Sequence, residues 1–183
     1  EEMYDLSVKA VKNRRYDKTK VGIGYFSGSL THNDDFLLIL PSLEKIMEKY
    51  SQVYLHVVGE LDLPDKLKRF KSRVVCHPFT DWKKLPELIS KVDINLAPLE
   101  QSIFNEAKSE NKWVEAALVK VPTVASKVGA FDRMIKDKVT GFLCSSSEEW
   151  EKVLSLLVEN KGLRRKIGER AYRYCTKKCV TLY

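Results

Sequence analysis

The stretch AKSENKWVEAALVKVPTVAS, residues 107–126, holds one helix and one strand and sets the pattern for the whole chain. It opens with polar and charged residues, continues as an apolar helical segment, and ends after a Val-Pro pair in a short strand-like run. The apolar run VDINLA, residues 92–97, precedes it, so the local order is strand, helix, strand. This order with short links is typical of a parallel sheet with right-handed crossovers.

The same alternation of short apolar runs and helical periodicity continues along the chain. We predict strands at 20–26, 53–59, 73–77, 92–97, 121–126 and 141–144, and helices at 33–50, 62–71, 83–90, 109–119, 130–137, 147–160 and 162–178. The strands are nearly uninterrupted apolar runs, as expected of strands that are buried on both faces. The predicted fold class is therefore α/β: a doubly wound, mostly parallel, six-stranded Rossmann-like sheet with helices on both faces.

The composition is that of one domain with an excess of basic residues. The chain has 183 residues, 44% of them hydrophobic, and a formal net charge of +7. A basic balance suits nucleic acid, an anionic membrane surface or a phosphorylated ligand, and it equally fits a plain soluble surface. Nucleic acid is the weaker interpretation, because the sequence has no RNP-like aromatic motif and no zinc-finger spacing. The basic residues are scattered, with a denser patch only in the last helix.

The cysteines and histidines predict neither a disulfide nor a metal site. The three histidines have no ligand spacing, and the four cysteines form no CxxC pair. We expect reduced thiols in mostly apolar surroundings at these positions: Cys76, Cys144, Cys175 and Cys179.

Ligands of such a sheet bind beyond the carboxyl ends of its strands. The five connections there are richer in Gly, Ser, Pro and charge than those at the opposite end: 27–32, 59–62, 77–82, 98–110 and 126–131. Gly28 would let the backbone approach a phosphate, or it belongs to an ordinary turn. A surface on which a purine or pyrimidine ring packs could be formed by His77, Pro78 and Phe79. The alternative, which general burial preferences favour, places Phe79 in the core.

The helix that begins near residue 109 offers a second group of binding residues. Ser109 is a good N-cap, and the free amides behind it could hold a phosphate flanked by Lys108 and Lys112, although a simple cap is the alternative. Glu115 continues the polar strip of Asn111 and Lys112 into an apolar helix. Its carboxylate could accept two hydroxyl groups of a ribose, or it could form a surface pair with Lys112.

These residues and motifs resemble the C-terminal, donor-binding half of GT-B glycosyltransferases, specifically the retaining group called family 4. The resemblance covers roughly residues 20–183. The matching motifs, in chain order, are YFSGSLTH, VVGE, LPELISKVDINLAPL, KSENKWVEAALVKVPTVAS and GFLC. The resemblance implies one half of a GT-B fold, which binds a nucleotide-diphosphate sugar between two Rossmann-like domains.

The resemblance also implies roles for individual residues. In the family, two glutamates eight positions apart bracket the donor, and the second, which holds the ribose, corresponds to Glu115. The first, which contacts the sugar, corresponds to Ala107, with Glu106 one residue out of register. The backbone of three residues corresponds to the loop that approaches the diphosphate and sugar: Ser109, Glu110 and Asn111.

The family's arginine and lysine after the first strand are absent from this chain. Ser29 and His32 stand near those places, and Lys108 or Lys112 would supply the missing charge. The predicted donor site therefore comprises twelve residues: Gly28, Ser29, His32, His77, Pro78, Phe79, Lys108, Ser109, Glu110, Asn111, Lys112 and Glu115.

The function expected from the resemblance is donor binding in a hexosyltransferase-like enzyme of polysaccharide or glycoconjugate assembly. Residues 1–19 would be a lead-in helix from an absent acceptor-binding domain and 20–183 the donor domain, so the chain alone would be inactive. Transfer would retain configuration and use neither metal nor cofactor. A cytoplasmic location is expected, with peripheral contact at the inner membrane face and a lipid-linked or glycan acceptor. The alternative is a non-catalytic nucleotide- or sugar-binding module.

Overall fold

The computed structural model describes residues 2–15, 17, 19–27, 33–59, 61–101 and 111–178. These residues form a six-stranded sheet from Val21–Phe26 (β1), Val53–Val58 (β2), Val74–His77 (β3), Ile94–Ala97 (β4), Thr123–Ser126 (β5) and Phe142–Cys144 (β6). All of its pairings are parallel, in the order β3-β2-β1-β4-β5-β6. The predicted doubly wound sheet is confirmed, and its strand order switches direction between β1 and β4.

The helices lie between the strands as the periodicity predicts. The α-helices are Glu2–Asn13 (α1), Asn33–Leu37 (α2), Leu40–Lys49 (α3), Leu85–Ser90 (α4), Asn111–Leu118 (α5), Gly129–Met134 (α6), Ser147–Glu159 (α7) and Lys161–Lys178 (α8). Within the described ranges, two 3₁₀ helices span Asp65–Arg73 and Trp82–Lys84. None of the helices in the described ranges is both long and apolar enough to cross a membrane.

Two segments differ from their predicted form. The single helix predicted at 33–50 is two helices, because Pro41 has no amide hydrogen and fits only the first turn of α3. The helix predicted at 62–71 is a 3₁₀ helix. Its two buried residues, Leu67 and Phe70, are three apart, which is the repeat of a 3₁₀ helix.

Helices cover both faces of the sheet. On one face α3 and α7 pack together over a large apolar cluster that includes Leu43, Met47 and Leu154. On the other face α1, α4 and α5 pack against one another. The final helix, α8, packs on both α5 and α7 and so joins the two layers.

A network around Asp93 closes the amino edge of the sheet. One carboxylate oxygen accepts the backbone N–H of Gly22 at 2.9 Å, and the other lies 3.9 Å from Nε of Arg164 in α8. Nearby, Arg14 donates to the carbonyl of Val92 at 2.7 Å. These contacts tie α1, α8, β1 and the residue before β4 to one point.

The cysteines only partly match the expectation of apolar surroundings. Cys144 and Cys175 are buried, whereas Cys76 is exposed because β3 is an edge strand with one side open to solvent. None of these three cysteines forms a disulfide with a described residue. Cys179 lies outside the described residues.

Candidate functional site

The carboxyl ends of β1, β2 and β3 are held together by backbone contacts. The amide of Ser27 donates to the carbonyl of Val58 at 2.8 Å, and the amide of Gly59 donates to the carbonyl of His77 at 3.1 Å. Gly59 has a φ of +102°, and a Cβ at this position would lie 2.0 Å from the carbonyl oxygen of Ser27. Only glycine fits there. The glycine of the VVGE motif is therefore required for the close contact between the chain after β2 and the carbonyl of Ser27 at the end of β1.

The first turn of α5 is fixed at the same edge by two buried side chains. Asn95, in β4, donates from Nδ2 to the carbonyl of Lys112 at 3.1 Å and to the hydroxyl of Thr123 at 3.1 Å. Trp113 is fully buried and donates from Nε1 to the carbonyl of Thr140 at 2.9 Å. These contacts set the rotation of α5 about its axis. They leave Lys112 and Glu115 half-buried and Asn111 exposed.

Glu115 is a half-buried carboxylate that has no partner among the described residues. It forms no hydrogen bond or ion pair with the described residues, so the predicted alternative of an exposed surface pair with Lys112 is wrong. Burial raises the pKa of Glu115 to about 6, and the positive charge of Lys112 opposes the rise. Burying a carboxylate without a partner costs free energy. The position is therefore unfavourable for stability and suitable for a hydrogen-bonding ligand.

Lys112 lies above an aromatic ring at the end of β1. Its Nζ is 4.6 Å from the ring centroid of Tyr25, which is fully buried and packs on Phe36. A cation over an aromatic face is attracted by the ring quadrupole. The contact holds a positive charge near the first turn of α5, where an anion would also meet the helix dipole.

Asp35, which the sequence did not single out, supports the connection after β4. The side chain is only 3% exposed, and Oδ1 accepts the backbone N–H of Glu100 at 2.8 Å. Ser126 accepts the amide of Leu99 at 2.8 Å in the same way. Both side chains therefore hold the chain that leads towards α5. The sequence carries no signal that distinguishes Asp35 from its neighbour Asp34, because the contact joins residues 65 positions apart.

The residues after β3 divide between packed and exposed. His77 is half-buried, and its ring stacks on His56 with centroids 6.1 Å apart and an interplanar angle of 11°. Pro78 is exposed and Phe79 is 63% exposed, so the expectation of Phe79 in the core is wrong. The residue stands on a loop beyond β3, an edge strand that has a neighbouring strand on one side only. An exposed aromatic side chain at this edge is available to a ligand.

The described binding residues lie in two groups on one edge of the sheet. The groups are the α5 residues Asn111, Lys112 and Glu115 and the β3-end residues His77, Pro78 and Phe79. Three strand spacings separate β3 from β4, or about 14 Å. The switch in strand order lies between the groups, where such sheets form a crevice. The other predicted site residues lie outside the described ranges: Gly28, Ser29, His32, Lys108, Ser109 and Glu110.

The fold and this edge define a Rossmann-like α/β domain with a polar carboxyl edge. The family model for glycosyl transferases group 1 matches residues 22–160, and the chain belongs to this family. The resemblance to glycosyltransferases is thus confirmed at the level of the family. No curated protein sequence gives a significant match.

Three solved structures that share the fold of this chain are described below. HepE from Anabaena, in complex with UDP and glucose, is 20% identical with a TM-score of 0.72 and is matched over 97% of this chain. WaaG, a glycosyltransferase involved in lipopolysaccharide biosynthesis, is 17% identical with a TM-score of 0.71 over 97% of this chain. The chain spans 48% of the length of each.

The third structure is itself a single domain. It is the C-terminal domain of LpcC, a glycosyl transferase group 1 family protein from Francisella tularensis, 22% identical with a TM-score of 0.64. The match covers 86% of this chain and 85% of that domain. The expected fold, that of the C-terminal half of a GT-B glycosyltransferase, is therefore confirmed.

Proposed function

We propose that this chain is the donor-binding domain of a glycosyltransferase that uses a nucleotide-diphosphate sugar. The observation that carries the proposal is Glu115, a half-buried carboxylate without a partner among the described residues, at the carboxyl edge of a glycosyltransferase-family sheet. Ribose hydroxyl groups would supply the two donors that its oxygens lack. The complex of HepE with UDP makes UDP the first nucleotide to test.

The diphosphate would bind between the base and the sugar, close to the first turn of α5. Lys112 is held there over the Tyr25 ring, and the helix dipole adds a partial positive charge. Lys108, Ser109, Glu110 and Asn111 would contribute backbone and side-chain donors. In this proposal amides and lysines stabilise the leaving diphosphate without a metal clamp, and transfer retains the configuration of the sugar.

The base would lie towards β3. The exposed ring of Phe79 and the backbone near His77 and Pro78 would form its bed, with Gly28, Ser29 and His32 between base and diphosphate. The order base, ribose, diphosphate and sugar then follows the edge from β3 towards α5. Support comes from the arrangement of the two described groups on either side of the switch in strand order.

The whole enzyme would act in polysaccharide or glycoconjugate assembly in the cytoplasm, with a glycan or lipid-linked sugar as acceptor. Residues 1–19 would lead in from an acceptor-binding domain. We expect the chain alone to bind nucleotide weakly and to transfer nothing, because transfer needs an acceptor hydroxyl about 3 Å from the anomeric carbon. Turnover of labelled nucleotide sugars at about 1 per second or faster by this chain would contradict that expectation.

A heteronuclear NMR titration with UDP, GDP and ADP tests the binding proposal. We expect amide shifts on Asn111, Lys112 and Glu115 and around His77 and Phe79, with one of the nucleotides binding more tightly than the others. Glu87→Gln, a control substitution at an exposed position, should show the same amide shifts on titration as the unmodified chain. Shifts confined to the amino edge around Asp93 would overturn the site.

One observation favours a non-catalytic nucleotide- or sugar-binding module as the second candidate. Ala107 stands where the family places the glutamate that contacts the donor sugar. A module would bind UDP and UDP-sugar alike, because nothing would hold the sugar. If a longer protein containing this chain bound UDP-sugar and showed no transfer to any acceptor, the module would be the correct interpretation.

A further inference from the structure

The last helix, α8, contains the whole excess positive charge of the chain. Lys161–Lys178 includes eight lysines and arginines and one glutamate, a net charge of +7, which equals that of all 183 residues. The other 165 residues are balanced, with 24 basic and 24 acidic side chains. A charge concentrated in one helix creates a local field that the same charge dispersed over the surface does not.

The packed and exposed sides of α8 face in opposite directions. The packed side comprises Arg164, Ile167, Gly168, Ala171 and Cys175. The exposed side carries four cations, which we call the cationic stripe: Lys166, Arg170, Arg173 and Lys177. At about 100° per residue the four fall within a sector of about 60°, and at 1.5 Å per residue they extend over about 16 Å. All four can therefore meet one flat surface at the same time.

Three of the four cations of the cationic stripe have no acidic partner among the described residues. Glu169 is the one acidic residue of α8, and it pairs with Lys120 at 3.1 Å. Within the described part of the chain no ion pair includes Lys166, Arg170 or Arg173. The positive potential of these three residues is thus directed to solvent.

The aromatic side chains of α8 are occupied within the domain. The hydroxyl of Tyr172 is 3.1 Å from that of Tyr4, and the ring of Tyr174 packs edge-on against Trp113 with centroids 6.1 Å apart. The helix also contains neither asparagine nor glutamine. The stripe therefore offers no ring on which a base would stack and no amide side chain to recognise an adenine edge. These features disfavour nucleic acid as its partner.

We propose that the cationic stripe of α8 is a docking surface for an anionic lipid bilayer. A row of guanidinium and ammonium groups on one face of a straight helix is complementary to a plane of phosphate headgroups. The contact is electrostatic and peripheral, since no apolar side chain lies in the stripe. It is independent of nucleotide binding, because the stripe includes none of the residues assigned to the donor site.

Vesicle co-sedimentation with the 183-residue chain tests the proposal. Vesicles are made of phosphatidylcholine alone or with an equal part of phosphatidylglycerol, at about 0.15 M salt, where charges more than about 8 Å apart are screened. The stripe variant carries glutamine at four positions: Lys166, Arg170, Arg173 and Lys177. A control variant loses the same charge through glutamine at four other exposed lysines: Lys9, Lys12, Lys71 and Lys152.

We expect binding to the anionic vesicles only, and each stripe residue to contribute about fivefold to the partition constant. The stripe variant should then bind about a hundredfold or more weakly, while the control variant stays within a few-fold of the unmodified chain. Equal losses in both variants, or no binding to anionic vesicles, would overturn the proposal. Tighter binding to a DNA or RNA duplex than to the vesicles would overturn it in favour of nucleic acid. Circular dichroism and melting temperature check that both variants are folded.

Discussion

Asp93 and Glu115 are carboxylates at opposite edges of one sheet, and they differ in their hydrogen-bond and ion-pair partners. Asp93, at the amino edge, accepts the N–H of Gly22 at 2.9 Å and lies 3.9 Å from the guanidinium of Arg164. Glu115, at the carboxyl edge, is half-buried and has no such partner among the described residues. Its pKa rises to about 6 because burial penalises its charged form.

Asp93 therefore stabilises the domain, whereas ionised Glu115 lowers its stability. A buried charge with a partner contributes through that partner, whereas a buried charge without one is a free-energy cost unless a ligand supplies the missing donors. Unfavourable positions of this kind cluster at functional sites. The comparison leads to five expected outcomes.

Replacing Asp93 by alanine should have the largest effect on stability. The change leaves the N–H of Gly22 without its acceptor and removes the carboxylate that pairs with the buried guanidinium of Arg164. Arg164 still donates to the carbonyl groups of Leu157 and Val158, and we expect a loss of about 3 kcal/mol in the free energy of unfolding. Urea denaturation measures it. Asp93→Asn keeps an acceptor for Gly22 and should cost less. UDP affinity should be unchanged in whatever fraction is folded, and a specific loss of binding would show that the amino edge is not purely structural.

Glu115→Gln should have opposite effects on binding and stability. The rise in pKa from 4.5 to about 6 means that ionised Glu115 costs the fold about 2 kcal/mol at pH 7, so the variant should be more stable by up to that amount. UDP affinity should fall by about 1–3 kcal/mol, because an amide accepts the ribose hydroxyl groups less strongly than a carboxylate does. Thermal denaturation and calorimetric titration measure the two effects. Unchanged affinity together with reduced stability would contradict the assignment.

The pH dependence of stability and of UDP affinity should also differ between the unmodified chain and Glu115→Gln. Glu115 has a raised pKa in the folded state, so its cost to stability is absent below pH 4.5 and appears as the pH rises through about 6. The stability advantage of Glu115→Gln should therefore vanish towards pH 4.5. UDP affinity of the unmodified chain, relative to the variant, should fall about tenfold between pH 7 and pH 5, as Glu115 is protonated. Parallel pH profiles for the two proteins would contradict this.

The lysines near α5 should affect the diphosphate more than the nucleoside. Lys108→Ala combined with Lys112→Ala should weaken UDP by about 1 kcal/mol more than it weakens uridine, because Lys112 lies in the first turn of α5 and Lys108 precedes it by four residues in the sequence. Calorimetric or NMR titration with both ligands gives the difference. Equal losses for UDP and uridine would mean that these lysines do not serve the phosphates.

Phe79→Ala should have the smallest effect. The side chain is 63% exposed, so the free energy of unfolding should change by less than about 0.5 kcal/mol. Loss of a stacking surface should weaken UDP by about 1 kcal/mol. Leu37, 49% exposed on α2, provides a matched control, and its alanine variant should bind UDP normally. If the Phe79 variant also bound normally, the base would lie elsewhere.

Much of the fold follows from local sequence patterns. The runs at 21–26 and 94–97 are strands because apolar residues succeed one another without alternation, which suits strands covered on both sides. The division of the predicted helix at 33–50 into two helices could also have been predicted from the sequence, because the ring of Pro41 cannot continue a helix. The 3₁₀ form of Asp65–Arg73 was not, because the pattern of apolar residues there is too short to distinguish the two helix types.

The sequence by itself determined the order of strands and helices, and it predicted the edge at which a ligand would bind and Glu115 as a residue of interest. These features follow from periodicity and from residue types within one segment. Only the tertiary structure decided that Phe79 is exposed, that Asp35 holds the amide of Glu100, and that Glu115 is half-buried without a partner among the described residues. Burial and hydrogen bonding depend on neighbours that are distant in the chain, and a local pattern does not contain that information.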